Sequence, residues 1–126
     1  MTAAGRPTIL RRRSEFLRVR GGLRWVAPAF VLEARARSGP ETDLQGPRFG
    51  FTVTKKLGKA VTRNRIRRRL REAVRTRVGL CARPEFDYVI VARAAASTVP
   101  FDRLADDLVR AFERVHARPA RQGGSQ

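Results

Sequence analysis

The chain has one cysteine, Cys81, in 126 residues, so it can form neither an internal disulfide nor a cysteine-based zinc site. It has one histidine, one tryptophan and one tyrosine. No apolar run reaches the roughly 18 residues that a membrane span needs. The opening MTAAGRPTILRRR lacks the apolar stretch of a signal peptide. A cytoplasmic, reducing location without a membrane partner is therefore expected. Acids are scarce: 11 Asp and Glu stand against 28 Lys and Arg, a formal net charge of +17. Self-repulsion on that scale calls for an anionic partner, nucleic acid first and an anionic membrane surface second. Lysine is scarce too, with only Lys55, Lys56 and Lys59. Coding preference can produce such an Arg excess, so the position of the charge says more than its identity. Hydrophobic residues make up 42% of the chain, which excludes compositional disorder and suits one domain with one modest core.

Residues 1–8 read as a loose arm, 9–118 as the domain and 119–126 as a polar tail. Ser14 is placed to cap a helix over SEFLRVR that stops at Gly21-Gly22 and brings Phe16, Leu17 and Val19 to the core. From Trp25 to Arg37 the pattern has a period of two, with Phe30, Leu32, Ala34 and Ala36 opposite Val31, Glu33, Arg35 and Arg37. Pro28 falls near the start of that strand. SGPETDLQGP (38–47) reads as a hairpin loop, and RFGFTVTKK as the next strand, with Phe49, Phe51 and Val53 on one face. Ile66, Leu70, Ala73, Val74 and Val78 recur at helical spacing up to Gly79. FDYVIVAR (86–93) is apolar on both faces, as a central strand is. FDRLADDLVRAFERVHAR is a helix with Leu104, Leu108, Ala111, Phe112 and Val115 on one face. These elements predict an α+β fold: a single-domain α/β sandwich that runs helix, strands, helix, strand, helix, with a strand–helix–strand crossover through the arginine-rich helix.

The charge is concentrated in that crossover. Residues 48–77 hold twelve Lys or Arg and one acid, Glu72. The last helix, 101–118, holds four of each sign. At about 100° per residue, Asn64, Arg67, Arg68, Arg71 and Arg75 share one arc beside the apolar stripe. Arg63–Arg67, Arg67–Arg71 and Arg71–Arg75 are like-charge pairs at i,i+4, each costing a few tenths of a kcal/mol in an isolated helix. An array maintained against its own repulsion points to an anion, and the guanidinium fork matches phosphate. Other candidates are weaker. His116 reads as a surface residue. Cys81 has no His partner near in sequence. Asp106 and Asp107 suit the N-terminal half of a helix better than a metal site. KKLGK lacks the spacing of a nucleotide-binding loop. Phe16 is core-facing, with an edge that can stack a base. No catalytic acids, triad or metal-ligand cluster stand out, so the chain alone reads as a binder and no catalytic or metal-ligating residue is expected in it.

FGFTVTKKLGKAVTRNRIRRRLREA strongly resembles the signature of the bacterial ribonuclease P protein family, and LRRRSEFLRV and DYVIVAR extend the resemblance over nearly the whole ordered chain. The resemblance implies a fold like domain 2 of ribosomal protein S5, in the order α-β-β-β-α-β-α and with a left-handed βαβ crossover, the hand that right-handed defaults would not suggest. It implies a catalytic RNA as partner at 1:1, precursor tRNA as substrate, and cleavage of the 5′ leader with Mg²⁺ held mainly by RNA. By position, Arg63, Asn64, Arg65, Arg67, Arg68 and Arg71 match the family's RNA-contacting patch, and Lys55, Lys56 and Lys59 the basic loop before it. Phe16 and Val31 match the cleft through which the single-stranded leader passes. Arg20 and Glu33 stand where the family often has aromatics. The cleft is thus expected to lean on phosphate contacts, with a steep salt dependence. Three alternatives remain at this stage: a generic RNA-binding or ribosomal-type protein, a peripheral membrane protein, and a protein-only nuclease. The basic helix lacks the bulky apolar face of a membrane binder, and a nuclease needs a carboxylate cluster.

Overall fold

The strand that is apolar on both faces takes the middle of the sheet. The computed structural model describes residues 8–37, 46–78 and 81–117. Five strands, β1 (Thr8–Ile9), β2 (Leu23–Val26), β3 (Phe30–Ala36), β4 (Arg48–Thr52) and β5 (Phe86–Ala92), form one sheet in the order β1-β4-β5-β3-β2. Three helices accompany it: α1 (Arg13–Val19), α2 (Ala60–Ala73) and α3 (Phe101–Ala117). The fold is α+β, as expected. Parallel neighbours β4 and β5 are joined through α2, so the crossover does run through the arginine helix. Thr8, the last residue of the expected arm, pairs with Arg48 in β1. Residues 1–7, Gly79 and 118–126, where the rest of the arm, the helix stop and the tail were placed, lie outside the described residues.

The extended stretch 25–37 is two strands, not one. The Ala27 N–H donates to the Phe30 carbonyl at 2.9 Å, leaving Pro28 and Ala29 at the tip of a tight turn between antiparallel β2 and β3. β3 and β4 are not the hairpin expected across 38–47, of which 38–45 lie outside the described residues: both strands pair with β5, which lies between them. A strand buried on both faces gains most in the centre, and short-range turn signals carry no trace of a strand that arrives forty residues later.

The alternation then sorts residues to two faces. Phe30, Leu32, Ala34, Phe49, Tyr88 and Ile90 are buried beneath α2 and α3. They meet Ile66, Leu70 and Ala73 from α2, Val74 just after it, and Leu104, Leu108, Ala111, Phe112 and Val115 from α3, the residues expected. The opposite face is covered only in part, by α1, whose Val19 packs with Leu10 and Val89. Leu17, expected in the core, is 42% exposed, because a seven-residue helix lying on a sheet buries only one side.

Ser14 does not cap α1, since the helix begins one residue earlier with Arg12 at its cap. Glu15 takes the capping role instead: its Oε1 accepts the backbone N–H groups of Arg11 and Arg12, each at 3.0 Å. Those bonds hold its carboxyl below the usual carboxylate range.

His116 is not a surface residue. Its ring stands edge-on to Phe86 at 4.6 Å, and Nε2 lies 2.6 Å from the Tyr88 hydroxyl. That hydroxyl also accepts the Arg83 N–H. Burial, with help from the charge on Arg83, lowers the His116 pKa to about 4. A histidine depressed in the folded state takes up a proton on unfolding. Its contribution is therefore complete above pH 6.5 and is lost as pH falls from 6.5 toward 4. We expect His116→Gln, which keeps a hydrogen-bonding group but cannot titrate, to flatten the stability profile in that window by about 1–2 kcal/mol after allowance for solvent screening. Urea titrations at pH 7 and pH 4.5 measure this, and equal pH slopes in the two proteins would exclude the role.

Candidate nucleic-acid interface

Gly58 sets the geometry of the basic segment. After β4 the chain makes one 3₁₀ turn at Lys55–Leu57 and then reverses at Gly58, whose φ of +137° suits a residue without Cβ. Lys59 follows at the cap of α2, which then runs through Asn64 to Ala73 and widens into a π turn at Val74–Val78. The Arg63 Nε donates to the Gly58 carbonyl at 3.1 Å, tying loop to helix.

Four of the twelve cations in 48–77 are committed to the protein itself. Arg48 binds Asp87 and Glu15. Arg69 folds inward and donates to the carbonyls of Ala96, Ser97 and Val99 ahead of α3; burial, together with the charge on Arg65, lowers its pKa. Arg75 pairs with Glu72 at 2.7 Å, and Arg77 with Asp102 and Asp106 at 3.0 and 3.2 Å. The remaining eight are Lys55, Lys56, Lys59, Arg63, Arg65, Arg67, Arg68 and Arg71. Among the described residues, none of these eight meets a carboxylate. The Arg67 guanidinium donates to Asn64 Oδ1 at 3.2 Å, which fixes both side chains on the outer side of α2. The residues matched to the RNA-contacting patch and its basic loop are thus the ones left over after structural ion pairs are removed.

Val61, at the start of α2, is 80% exposed, the most exposed large apolar side chain among those described as exposed. It stands between Lys59 and the arginines, offering an apolar contact that sequence periodicity had not singled out.

The second group lies on the other side of the sheet. Phe16 packs against β4, where a Cβ on Gly50 would fall 2.5 Å from its ring. Phe16 and Val91 both join the cluster of Leu10, Val19 and Val89, and Val31 pairs with Val91 across the strands. Phe16 and Val31 therefore share one face, with β5 between them. Beyond Val31 the face is open: Val26 on β2 is 51% exposed. Val26 belongs to this surface and escaped sequence reading, because the β2–β3 turn was hidden in one apparent strand; Val91, read only as part of the central strand, belongs to it too. Phe16 is the only aromatic on this face among the described residues. Arg20 and Arg24 stand exposed beside it, and Glu33 is half-buried.

Sequence reading also missed Asp87. Its side chain is fully buried and receives Arg18 at 2.6 Å, Arg37 at 2.7 Å, and Arg48 through Nε at 2.8 Å and Nη2 at 2.7 Å. Burial alone would raise its pKa, but the bonds from Arg48, Arg37 and Arg18 reverse that and lower it. A lone Asp in an apolar strand, cross-strand from Arg48, was the available signal.

The other candidate groups do not form a reaction centre. Cys81 is half-buried, and burial raises its thiol pKa. Among the described residues no three His, Cys, Asp or Glu side chains gather to hold a metal ion, and no helix is long and apolar enough to cross a membrane.

Comparison with known proteins gives a consistent picture. The Ribonuclease P family model matches residues 5–116. A Ribonuclease P protein component from Brucella suis is 47% identical over 121 residues, covering 93% of this chain and 84% of that protein. One from Ruegeria pomeroyi is 44% identical over 111 residues, 87% of each chain. The solved RNase P protein from Thermotoga maritima superimposes with a TM-score of 0.69 at 29% identity, covering 83% of this chain and 94% of that one.

Proposed function

Because the chain belongs to the ribonuclease P protein family, we propose that it binds that enzyme's catalytic RNA and the 5′ leader of precursor tRNA, assisting the endonucleolytic cut that gives the mature tRNA 5′ end. Ribonuclease P is an endoribonuclease, and this chain is its protein component, a partner of the RNA subunit. The observation that carries the reading is the set of eight cations, on the loop that leads into α2 and on α2 itself, that no carboxylate of the described residues neutralises. Such a surface is completed by phosphate.

Hydrolysis of the phosphodiester, leaving a 5′-phosphate on the tRNA, is assigned to the RNA subunit. The array offers guanidinium and ammonium groups, which bind phosphate but are paired with neither a nucleophile nor a base. Nor does it suit Mg²⁺, a hard cation that takes oxygen ligands. The RNA is the proposed holder of the Mg²⁺, which when bound supplies Lewis-acid chemistry. The protein's part is to bring RNA and leader together at 1:1, in the cytoplasm. The open half of the sheet beside Phe16, Val31 and Val91, flanked by Arg20 and Arg24, suits a single strand that passes with one base stacked and its phosphates among cations.

The deciding experiment is precursor-tRNA cleavage by a bacterial ribonuclease P RNA at low Mg²⁺, with and without this protein. Strong stimulation is expected. Tight RNA binding without stimulation would instead favour a general RNA-binding role. With one aromatic in the cleft, leader binding should also depend steeply on salt. The slope of log K against log salt is expected to be about −0.7 for each leader phosphate engaged. A slope that does not change between long-leader and leaderless substrates would remove the phosphate contacts to the leader.

A further inference from the structure

Among the described residues, Asp87, Glu15 and Glu33 bring carboxylates to the α1 side of the sheet, and the first two are engaged. Asp87 holds three arginines and Glu15 holds Arg48 and the helix cap. The Glu33 carboxylate has no hydrogen bond or ion pair among the described residues, although Arg24 stands directly across from it on β2. It is half-buried on β3, two residues from Val31 and hence on the same face. On its other side it faces Val89, which Leu10 and Val19 cover. Glu33 therefore stands where the apolar floor under α1 meets the open half of the sheet.

A carboxylate in that place is acceptor-only. It repels phosphate, so it does not serve the electrostatic capture that Arg20 and Arg24 serve. What it fits is a hydrogen-bond donor, and unstacked bases present donors on their Watson–Crick edges. Guanine presents N1–H and the N2 amino group side by side, matching the two carboxylate oxygens. Cytosine and adenine present one amino group each. Uracil presents only N3–H, between two carbonyls that face the carboxylate. We propose that Glu33 selects the leader nucleotide lying over Val31, favouring guanine most and uracil least. This inference rests on the reading that the leader occupies this cleft.

The test uses the reconstituted holoenzyme and precursor tRNA with randomised leader positions. Relative kcat/KM for each base at each position is read by sequencing cleaved and uncleaved pools. Wild type, Glu33→Gln and Glu33→Val are compared, Val being a good strand former that extends the apolar floor. At one leader position the wild type should prefer G over U by about ten-fold, the scale of one good bidentate contact. Glu33→Val should bring that ratio near one. Glu33→Gln, whose amide both donates and accepts, should shift the preference toward adenine. A merely structural role would slow all leaders alike and leave the ratios unmoved. No position-specific G preference in the wild type, or one that survives in Glu33→Val, overturns the inference. A substrate with a single-nucleotide leader separates the two failures. If the protein still favours long leaders over that substrate, the cleft reading stands and only the role of Glu33 falls. If it does not, the cleft reading fails as well.

Discussion

Changing Arg67, Arg68 and Arg71 together to alanine is expected to weaken binding of the catalytic RNA by about 10²- to 10³-fold at moderate salt, and to abolish stimulation of cleavage at low Mg²⁺. Arg68 and Arg71 are exposed, Arg67 is half-buried, and none of the three meets a carboxylate among the described residues. Each is free to make a charge-assisted bond to phosphate, so each should remove about one unit from the salt slope, roughly three in all. The folded state should tolerate the change. Among the described residues, the hydrogen bond lost is the one from Arg67 to Asn64. Alanine is the strongest helix former, and the like-charge pairs Arg63–Arg67, Arg67–Arg71 and Arg71–Arg75 all disappear. Stability should therefore be unchanged or slightly higher while RNA binding collapses. Binding isotherms at several salt concentrations, with urea denaturation of the same samples, separate these quantities. An unchanged salt slope would show that the phosphate contacts lie elsewhere.

Asp87→Asn is expected to act in the opposite way, costing about 3–5 kcal/mol of folding stability, the scale for breaking a buried ion pair. The carboxylate is fully buried and receives four hydrogen bonds from Arg18, Arg37 and Arg48. An amide keeps the shape but leaves three guanidinium groups gathered around no charge. The loss should fall on α1 first, since Arg18 is one of its polar ties to the sheet, beside the Glu15–Arg48 pair, and also reaches the Ala36 carbonyl at 3.4 Å. Because the Asp87 pKa is lowered in the folded protein, its contribution is present above the ordinary carboxylate value of 3.8 and is lost as pH falls through the lower folded value. The variant should therefore lose stability at pH 7 and lose less of it on acidification than the wild type. Equal stability of the two proteins at pH 7 in a urea titration would show that the three arginines are satisfied without the charge.

The two variants probe different layers of one design, and the layers differ in how far sequence alone reveals them. Local periodicity determined the class, the faces of α2, α3, β3 and β4, and the central place of β5. A buried stripe must recur with the geometry of its element wherever that element ends up. The concentration of positive charge in 48–77 was legible for the same reason: it is a property of consecutive residues. The specific pattern from KKLGKAV through RNRIRRR carried the family, which the comparisons then showed.

Partnerships between distant residues were not legible. Only the fold decides that Arg48, Arg69, Arg75 and Arg77 serve the protein's own carboxylates and carbonyls, leaving eight cations for a partner. Only the fold turns His116 inward to Tyr88, or seats Phe16 on Gly50. Strand order belongs to the same class. Residues 38–47 look like a hairpin by composition, yet β5 enters between β3 and β4 because its two apolar faces gain most from burial at the centre. The chain by itself determined which residues are apolar, charged or turn-forming. Tertiary structure decided which charges neutralise one another, because a salt bridge depends on distance in space and not on separation along the chain.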